Sequence, residues 1–335
     1  METTQGNSGN RQERLSLLVR QIRFEATGIN SYELVDPAGL DLPAFTAGAH
    51  LDVHLPDGVV RQYSLSNSPA DRHRYVIAVL RDENGRGGSK SLHQSLQVQD
   101  VVSVSHPRNH FGLVAAARKV ILLAGGIGVT PLKAMAHALD DAGVPFAFHY
   151  CARNDGCLAF RDVLAGPWQH GTSQFHLDDG IPGQGLDIAA LLRDPEQGTH
   201  VFYCGPAGFM RACADASAHW PAQTVHCEHF KAPLPSTVPA DGVDAPRAAG
   251  SFVIRIASTG AMIDVAPQTS IVDALDAAGV RIETSCQSGL CGTCKVRYLE
   301  GEVEHQDFIL DDAEHAHYLT ACVSRAKSAV LVLDL

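Results

Sequence analysis

The stretch SCQSGLCGTC, residues 285–294, limits what this chain can be more than any other. Cys286 and Cys291 are separated by four residues and Cys291 and Cys294 by two. The next cysteine, Cys322, follows after 27 intervening residues. Three chemistries compete for such a loop. A disulfide framework fits poorly, because the cysteine count is nine, an odd number. The chain also opens without the apolar run of a signal peptide, and no stretch has the length of a membrane span, which predicts a soluble protein in a reducing cytoplasm. Zinc favours two Cys-x2-Cys pairs, or one such pair with a histidine pair. Cys-x4-Cys-x2-Cys with one distant cysteine is instead the spacing of a plant-type [2Fe–2S] site. Gly289 and Gly292 support that choice, since a loop without Cβ atoms can wrap a cluster and aim N–H groups at its sulfurs.

The flanks agree. SFVIRIA and AMIDVA read as a hairpin around Ser258–Gly260. SIVDALDAAGV has helical apolar spacing, with Ser270 as N-cap and Gly279 as stop. KVRYLEGEVE is a strand and turn, and AVLVLDL a buried strand. Residues 250–335 resemble the plant-type ferredoxin fold, a β-grasp.

About 250 residues remain. The composition, 45% hydrophobic and 19% charged over 335 residues, allows two or three packed cores. KAPLPSTVPADGVDAPRAAG, residues 231–250, carries four prolines and two glycines. It reads as a tether, with the linker proper at 233–249. Residues 113–232 alternate strand and helix, as a βαβ domain does. VILLA is a buried strand running into GGIGVTP, where Thr130 is expected as N-cap and Pro131 as the first helical residue. FAFHYCAR is a strand ending at Arg153, and THVFYC another ending at Gly205 and Pro206. Residues 1–112 hold short strands without a long helical pattern, which predicts a small antiparallel barrel.

Taken singly, the polar motifs in these regions are ambiguous. Arg61, Tyr63 and Ser64 of RQYS could bind phosphate, stack on a flat ring and hydrogen-bond it, or could form an ordinary half-exposed strand. NGRGGSKSLH, with Arg86, Gly87, Gly88 and Ser89, is either an N–H nest for phosphate or a surface hairpin. GGIG is either a pyrophosphate turn or a tight strand–helix connection, and it does not match G-x-G-x-x-G.

Their order is more telling: RQYS, GRGGS, GGIGVTP, CGPAGFM, EHF at 228–230, then the cysteine loop. In this order the chain resembles the ferredoxin-NADP reductase superfamily. More closely, it resembles the phthalate dioxygenase reductase family, the FMN/[2Fe–2S] reductases of Rieske-type oxygenases. The resemblance implies an FMN-binding barrel (1–112), an NAD-binding α/β domain (113–232) and a C-terminal ferredoxin domain. It implies Arg61, Gly87, Gly88 and Ser89 at the FMN phosphate and Tyr63 against the isoalloxazine. Ser64 would lie near flavin N5, with Ala78 to Leu80 running past the ring. Gly126, Gly128, Thr130 and Pro131 would form the pyridine-nucleotide turn. Cys204, Gly205 and Pro206 would flank the nicotinamide, and Phe230 would cover the flavin. Ser64, Cys204 and Phe230 are thus the residues expected at the reacting atoms, and Cys286, Cys291, Cys294 and Cys322 the iron ligands. NADH is implied as donor, and a Rieske-type oxygenase component as acceptor.

Charge bears on partners. The formal net charge is −11, which disfavours nucleic acid. Residues 300–314, EGEVEHQDFILDDAE, hold seven acids and no lysine or arginine. Such a run reads as a solvated face or as a docking surface for a basic partner. Near the expected adenosine site Arg153 and Arg161 are offset by Asp155 and Asp162, so charge does not choose between NADH and NADPH. The 17 histidines show no His-Glu-x-x-His pattern and read mostly as surface or packing residues. Cys151, Cys157, Cys213 and Cys227 read as small buried hydrophobes.

Overall fold

The structure is a computed structural model that describes residues 14–55, 58–83, 87–181, 183–230 and 250–335. The expected linker and Arg86 lie outside the described residues. Two compact units are present, Met1–Glu228 and His229–Leu335.

The first unit begins with strands β1 (Leu15–Ala26), β2 (Ile29–Val35), β3 (His50–His54), β4 (Val60–Ser64), β5 (Tyr75–Leu80) and β6 (Val101–Val104). They form an antiparallel sheet in the order β4-β3-β6-β1-β2-β5. Leu65 bridges Ile77, and Ser66 N–H donates to Val76 O at 2.8 Å. That contact joins the two ends of the sheet into a barrel, so neither end strand is left as an open edge. Leu17, Val19, Leu34, Leu51, Val53 and Ile77 fill its interior. Helix α1 (Gly88–Ser95) lies between β5 and β6, so the glycine-rich stretch opens a helix and is not a surface hairpin.

Five parallel strands follow: β7 (Lys119–Gly125), β8 (Phe146–Ala152), β9 (Gly171–Leu177), β10 (Thr199–Cys204) and β11 (Val225–Glu228), in the order β11-β10-β7-β8-β9. Both faces of the sheet are covered, which explains the near-continuous apolar runs. Alternate residues of β7 serve opposite sides. Val120, Leu122 and Ala124 pack with α2 (Val129–Asp141), while Ile121 and Leu123 pack with Met210 and Cys213 of α3 (Ala207–Ser217). Barrel residues Ile29, Ala78 and Phe111 join the first of these clusters, and Lys133 Nζ donates to Ser66 O at 2.8 Å. Barrel and parallel sheet therefore share a core.

The start of α2 differs from expectation. A 3-10 turn at Gly126–Gly128 leads directly into a helix beginning at Val129, so Thr130 lies inside the first turn. Its hydroxyl donates to Ile127 O at 3.1 Å instead of accepting an N–H as a cap would. Pro131 is still tolerated, because the first-turn N–H groups have no intrahelical partner.

The second unit holds β12 (Phe252–Ile256), β13 (Met262–Val265), β14 (Lys295–Glu300), β15 (Val303–Glu304), β16 (Tyr318–Thr320), β17 (Arg325–Ala326) and β18 (Val330–Leu333). The main sheet runs β13-β12-β18-β14-β16, with β12 and β18 parallel at its centre. Helix α4 (Ile271–Ala277) buries Ile271, Val272, Ala274 and Leu275 in this unit's core. Ser270 accepts the Asp273 N–H at 3.1 Å, and Gly279 leaves the helix at φ +79°, as the residue pattern predicts.

Candidate functional site

At the barrel site, Arg61, Tyr63 and Ser64 come from β4. The Arg61 side chain lies against the N-terminus of α1. A Cβ on Gly88 would fall 2.5 Å from Arg61 Nε and 2.7 Å from its Cγ, so a side chain there would have to displace the arginine. Gly87 adopts φ +87° ahead of the helix, and no acidic residue occupies the first turn. Ser89 Oγ accepts the Asp82 N–H at 3.0 Å. A guanidinium beside the positive end of a helix dipole suits a phosphate dianion. Tyr63 is half-buried against the barrel core, and burial pushes its phenol pKa up. Ala78 is buried, whereas Leu80 is 40% exposed.

Ser64 is 5% exposed, and its hydroxyl donates to Glu228 Oε2 at 3.4 Å. Desolvation pushes the Glu228 carboxyl up to about 8, with the Ser64 hydrogen bond opposing. Glu228 is the first residue of the EHF motif, and the sequence alone assigns it no role. Its signal, an acid ending a short strand, carries weight only once β11 delivers it to β4.

The glycine turn sits where the strand order reverses, between β7 and β10. Open parallel sheets bind ligands at the carboxyl ends of strands flanking such a point. Gly126–Gly128 follows β7 there, and Cys204–Pro206 ends β10. The two are in close contact: a Cβ on Gly128 would collide with the Cys204 carbonyl, and one on Gly205 would lie 3.0 Å from Gly125 Cα. Gly126 itself has φ +52°. Cys204 is fully buried, and desolvation holds its thiol well above the usual range, so it is an uncharged wall and not a nucleophile. In register it pairs with Glu228. Ser64, Glu228 and Cys204 thus link the barrel site to the switch-point crevice. Arg153 is exposed at the end of β8, and Arg161 Nε pairs with Asp155 at 3.0 Å. Phe230 is 37% exposed and belongs to the second unit.

In the second unit the four cysteine sulfurs approach in two pairs, Cys286 with Cys291 and Cys294 with Cys322. Among the described residues, no three of these sulfurs fall within 4.8 Å of one another. One tetrahedral zinc would draw all four to about 3.8 Å, from Zn–S bonds of about 2.3 Å. Two pairs suit a two-iron cluster, in which each iron takes two thiolates. Backbone N–H groups already point at sulfur: Ser288 and Leu290 to Cys286 Sγ at 3.4 Å each, and Gly289 to Cys322 Sγ at 3.3 Å. Gly289 has φ +70°, and a Cβ there would lie 2.7 Å from Val323 Cγ2. The donor set fits the cluster.

The remaining cysteines vary. Cys213 is buried and Cys151 and Cys157 are half-buried, but Cys227 is exposed, contrary to expectation. It lies on β11, the edge strand, which only one neighbour covers.

Residues 254–327 match the model of the 2Fe-2S iron-sulfur cluster binding domain. The chain is 52% identical to the tert-butanol monooxygenase / tert-amyl alcohol desaturase reductase subunit of Aquincola tertiaricarbonis, covering 96% of each. It is 43% identical to the phthalate 4,5-dioxygenase oxygenase reductase subunit of Pseudomonas putida, over 92% of this chain and 93% of that one. The solved structure of phthalate dioxygenase reductase, described as modular for electron transfer from pyridine nucleotides to [2Fe–2S], matches with a TM-score of 0.76. That match has 41% identity and covers 96% of this chain and 98% of the other. With the barrel, the parallel sheet and the cysteine loop in this order, and relatives matching over nearly the whole length, the chain belongs to the phthalate dioxygenase reductase family of oxidoreductases.

Proposed function

We propose that the protein is an NADH-dependent reductase that delivers single electrons to the Rieske-type oxygenase component of an oxygenase or demethylase, in the cytoplasm. The observation that supports this is the Ser64–Glu228–Cys204 link, which brings barrel strand β4 and the switch point of the parallel sheet together in one compact unit. In this reading residues 1–112 bind FMN, 113–232 bind NADH, 233–249 are a linker and 250–335 hold the [2Fe–2S] cluster. Arg61 and the Gly87–Ser89 helix start hold the FMN phosphate, and Tyr63 lies flat on the ring. The Ser64 hydroxyl faces the flavin N5 edge, and Glu228, protonated near neutral pH, holds a proton behind it. Gly126, Gly128, Thr130 and Pro131 bind the NADH pyrophosphate, Cys204 to Pro206 line the nicotinamide, and Phe230 shields the flavin. When bound, flavin accepts a hydride and passes electrons on singly, which a one-electron cluster requires. Arg161 pairs with Asp155 and Arg153 is exposed at the adenosine end, so charge does not choose the nucleotide; NADH is taken from the family resemblance.

Anaerobic titration of the purified protein with NADH tests this. One flavin and one iron–sulfur centre should bleach together, and chromatography should identify the released flavin as FMN. Bleaching of the iron–sulfur bands by dithionite but not by NADH would overturn the proposal.

A further inference from the structure

Not every acid of the 300–314 run faces solvent. The Asp307 side chain is fully buried (0% exposed), between His305 and His315, which are 19% and 24% exposed. The two imidazoles stack, with centroids 4.0 Å apart and planes inclined at 28°. His315 Nε2 lies 3.3 Å from both carboxylate oxygens, and His305 Nδ1 lies 3.9 Å from Oδ1. His305 Nδ1 is buried and has no hydrogen-bond partner among the described residues. All three ligand atoms fall within 4.8 Å of one another, which no other trio of His, Cys, Asp or Glu does among the described residues.

These separations are informative. Ligands about 2.0–2.1 Å from a tetrahedral zinc stand about 3.3–3.4 Å apart. The His315–Asp307 spacing already meets that value, and the His305–Asp307 spacing exceeds it by about half an ångström, a small side-chain adjustment. The surroundings hold the carboxylate in place. Leu310 N–H donates to Asp307 Oδ2 at 3.0 Å, and the Tyr298 hydroxyl donates to His315 O at 2.9 Å. Desolvation lowers the pKa of His305, which keeps the ring neutral, as a ligand must be. Two imidazoles and one carboxylate are a donor set for a borderline divalent ion, whereas calcium and magnesium take oxygen donors.

We propose that His305, Asp307 and His315 form a divalent transition-metal site, with Zn2+ as the fitting ion, separate from the four cysteines. The site abuts the cysteine loop: Phe308 N–H donates to Gly289 O at 3.0 Å. A bound dication therefore adds positive charge beside that loop, within an otherwise acidic segment.

The experiment is Zn2+ binding to the holoprotein by equilibrium dialysis with metal analysis, together with zinc K-edge absorption of the loaded wild type. The expected result is one equivalent more bound by wild type than by His305→Gln/His315→Gln. The single His305→Gln variant should weaken that equivalent about 10-fold or more. The zinc edge needs no variant, and should show nitrogen and oxygen neighbours with imidazole scattering and no sulfur. Equal uptake by wild type and double variant, with intact iron–sulfur absorbance in both, would place zinc elsewhere, for example at the stacked His149/His176 or His200/His226 pairs, and overturn the proposal. A sulfur shell near 2.3 Å would do the same, by placing zinc in the cysteine loop.

Discussion

Glu228 combines a desolvated carboxyl with a single hydroxyl donor, and burial outweighs that hydrogen bond. The folded protein keeps this proton up to about pH 8, whereas an unfolded chain releases it near the ordinary value of 4.5. Between these values the native state binds more protons, so this group's contribution to stability falls as pH rises. Glu228→Gln removes that slope. The fall in Tm from pH 5 to pH 8 should be smaller in the variant than in wild type, and scanning calorimetry at several pH values measures it. A parallel fall in both proteins would mean the carboxyl titrates normally. Gly88 offers a second test at this scale. Gly88→Val would push into the Arg61 side chain, displacing the guanidinium from the helix start. FMN retention on dilution should fall about 10-fold or more, the scale of a lost charge-assisted phosphate contact, with the circular dichroism of the fold kept.

At the scale of elements, the cysteine loop depends on backbone that only glycine supplies. Gly289 lies at positive φ, and its Cα region is crowded by Val323 and Asp307. Gly289→Ala should cost about 1–3 kcal/mol locally. Because the same N–H points at Cys322 Sγ, the loss should appear as lower iron and sulfide content per flavin. Cys322→Ser should abolish the cluster's visible bands while NADH still reduces ferricyanide through the flavin. Loss of both activities would show that the two units are not functionally separable. The Gly126–Gly128 turn is set by the same physics. Gly128 lets the start of α2 meet the end of β10, which is why GGIG, although it lacks the usual dinucleotide spacing, still makes a close approach.

Across the whole molecule the formal charge of −11 is uneven. Residues 250–335 hold 12 acids against 6 basic residues, 6 − 12 = −6. Within 300–314, Glu300 pairs with Arg255 and Glu314 with Lys295, each at 3.1 Å, and Asp307 is buried. The surface field is therefore weaker than a count of acids implies. Reduction of the proposed oxygenase partner should still slow as ionic strength rises, but by less than seven free charges would give. Stopped-flow rates from low to high salt measure this, and a flat profile removes the steering role. Local spacing is enough to identify the cysteine loop, the Ser270-capped helix and the buried strands, because three of the four cysteines and the helix cap lie within a few residues of their neighbours; the fourth cysteine, Cys322, reaches the loop only through the fold. Ambiguity remained where the partner is distant in the chain. Glu228 meets Ser64 across 164 residues, Lys133 meets Ser66 across 67, and Arg61 covers Gly88 from another element. Thr130 looked like a cap because its sequence suits one, yet the preceding 3-10 turn had already started the helix. Asp307 looked solvated for a similar reason: its seven-acid segment is polar, and only folding turned that one carboxylate inward between two imidazoles.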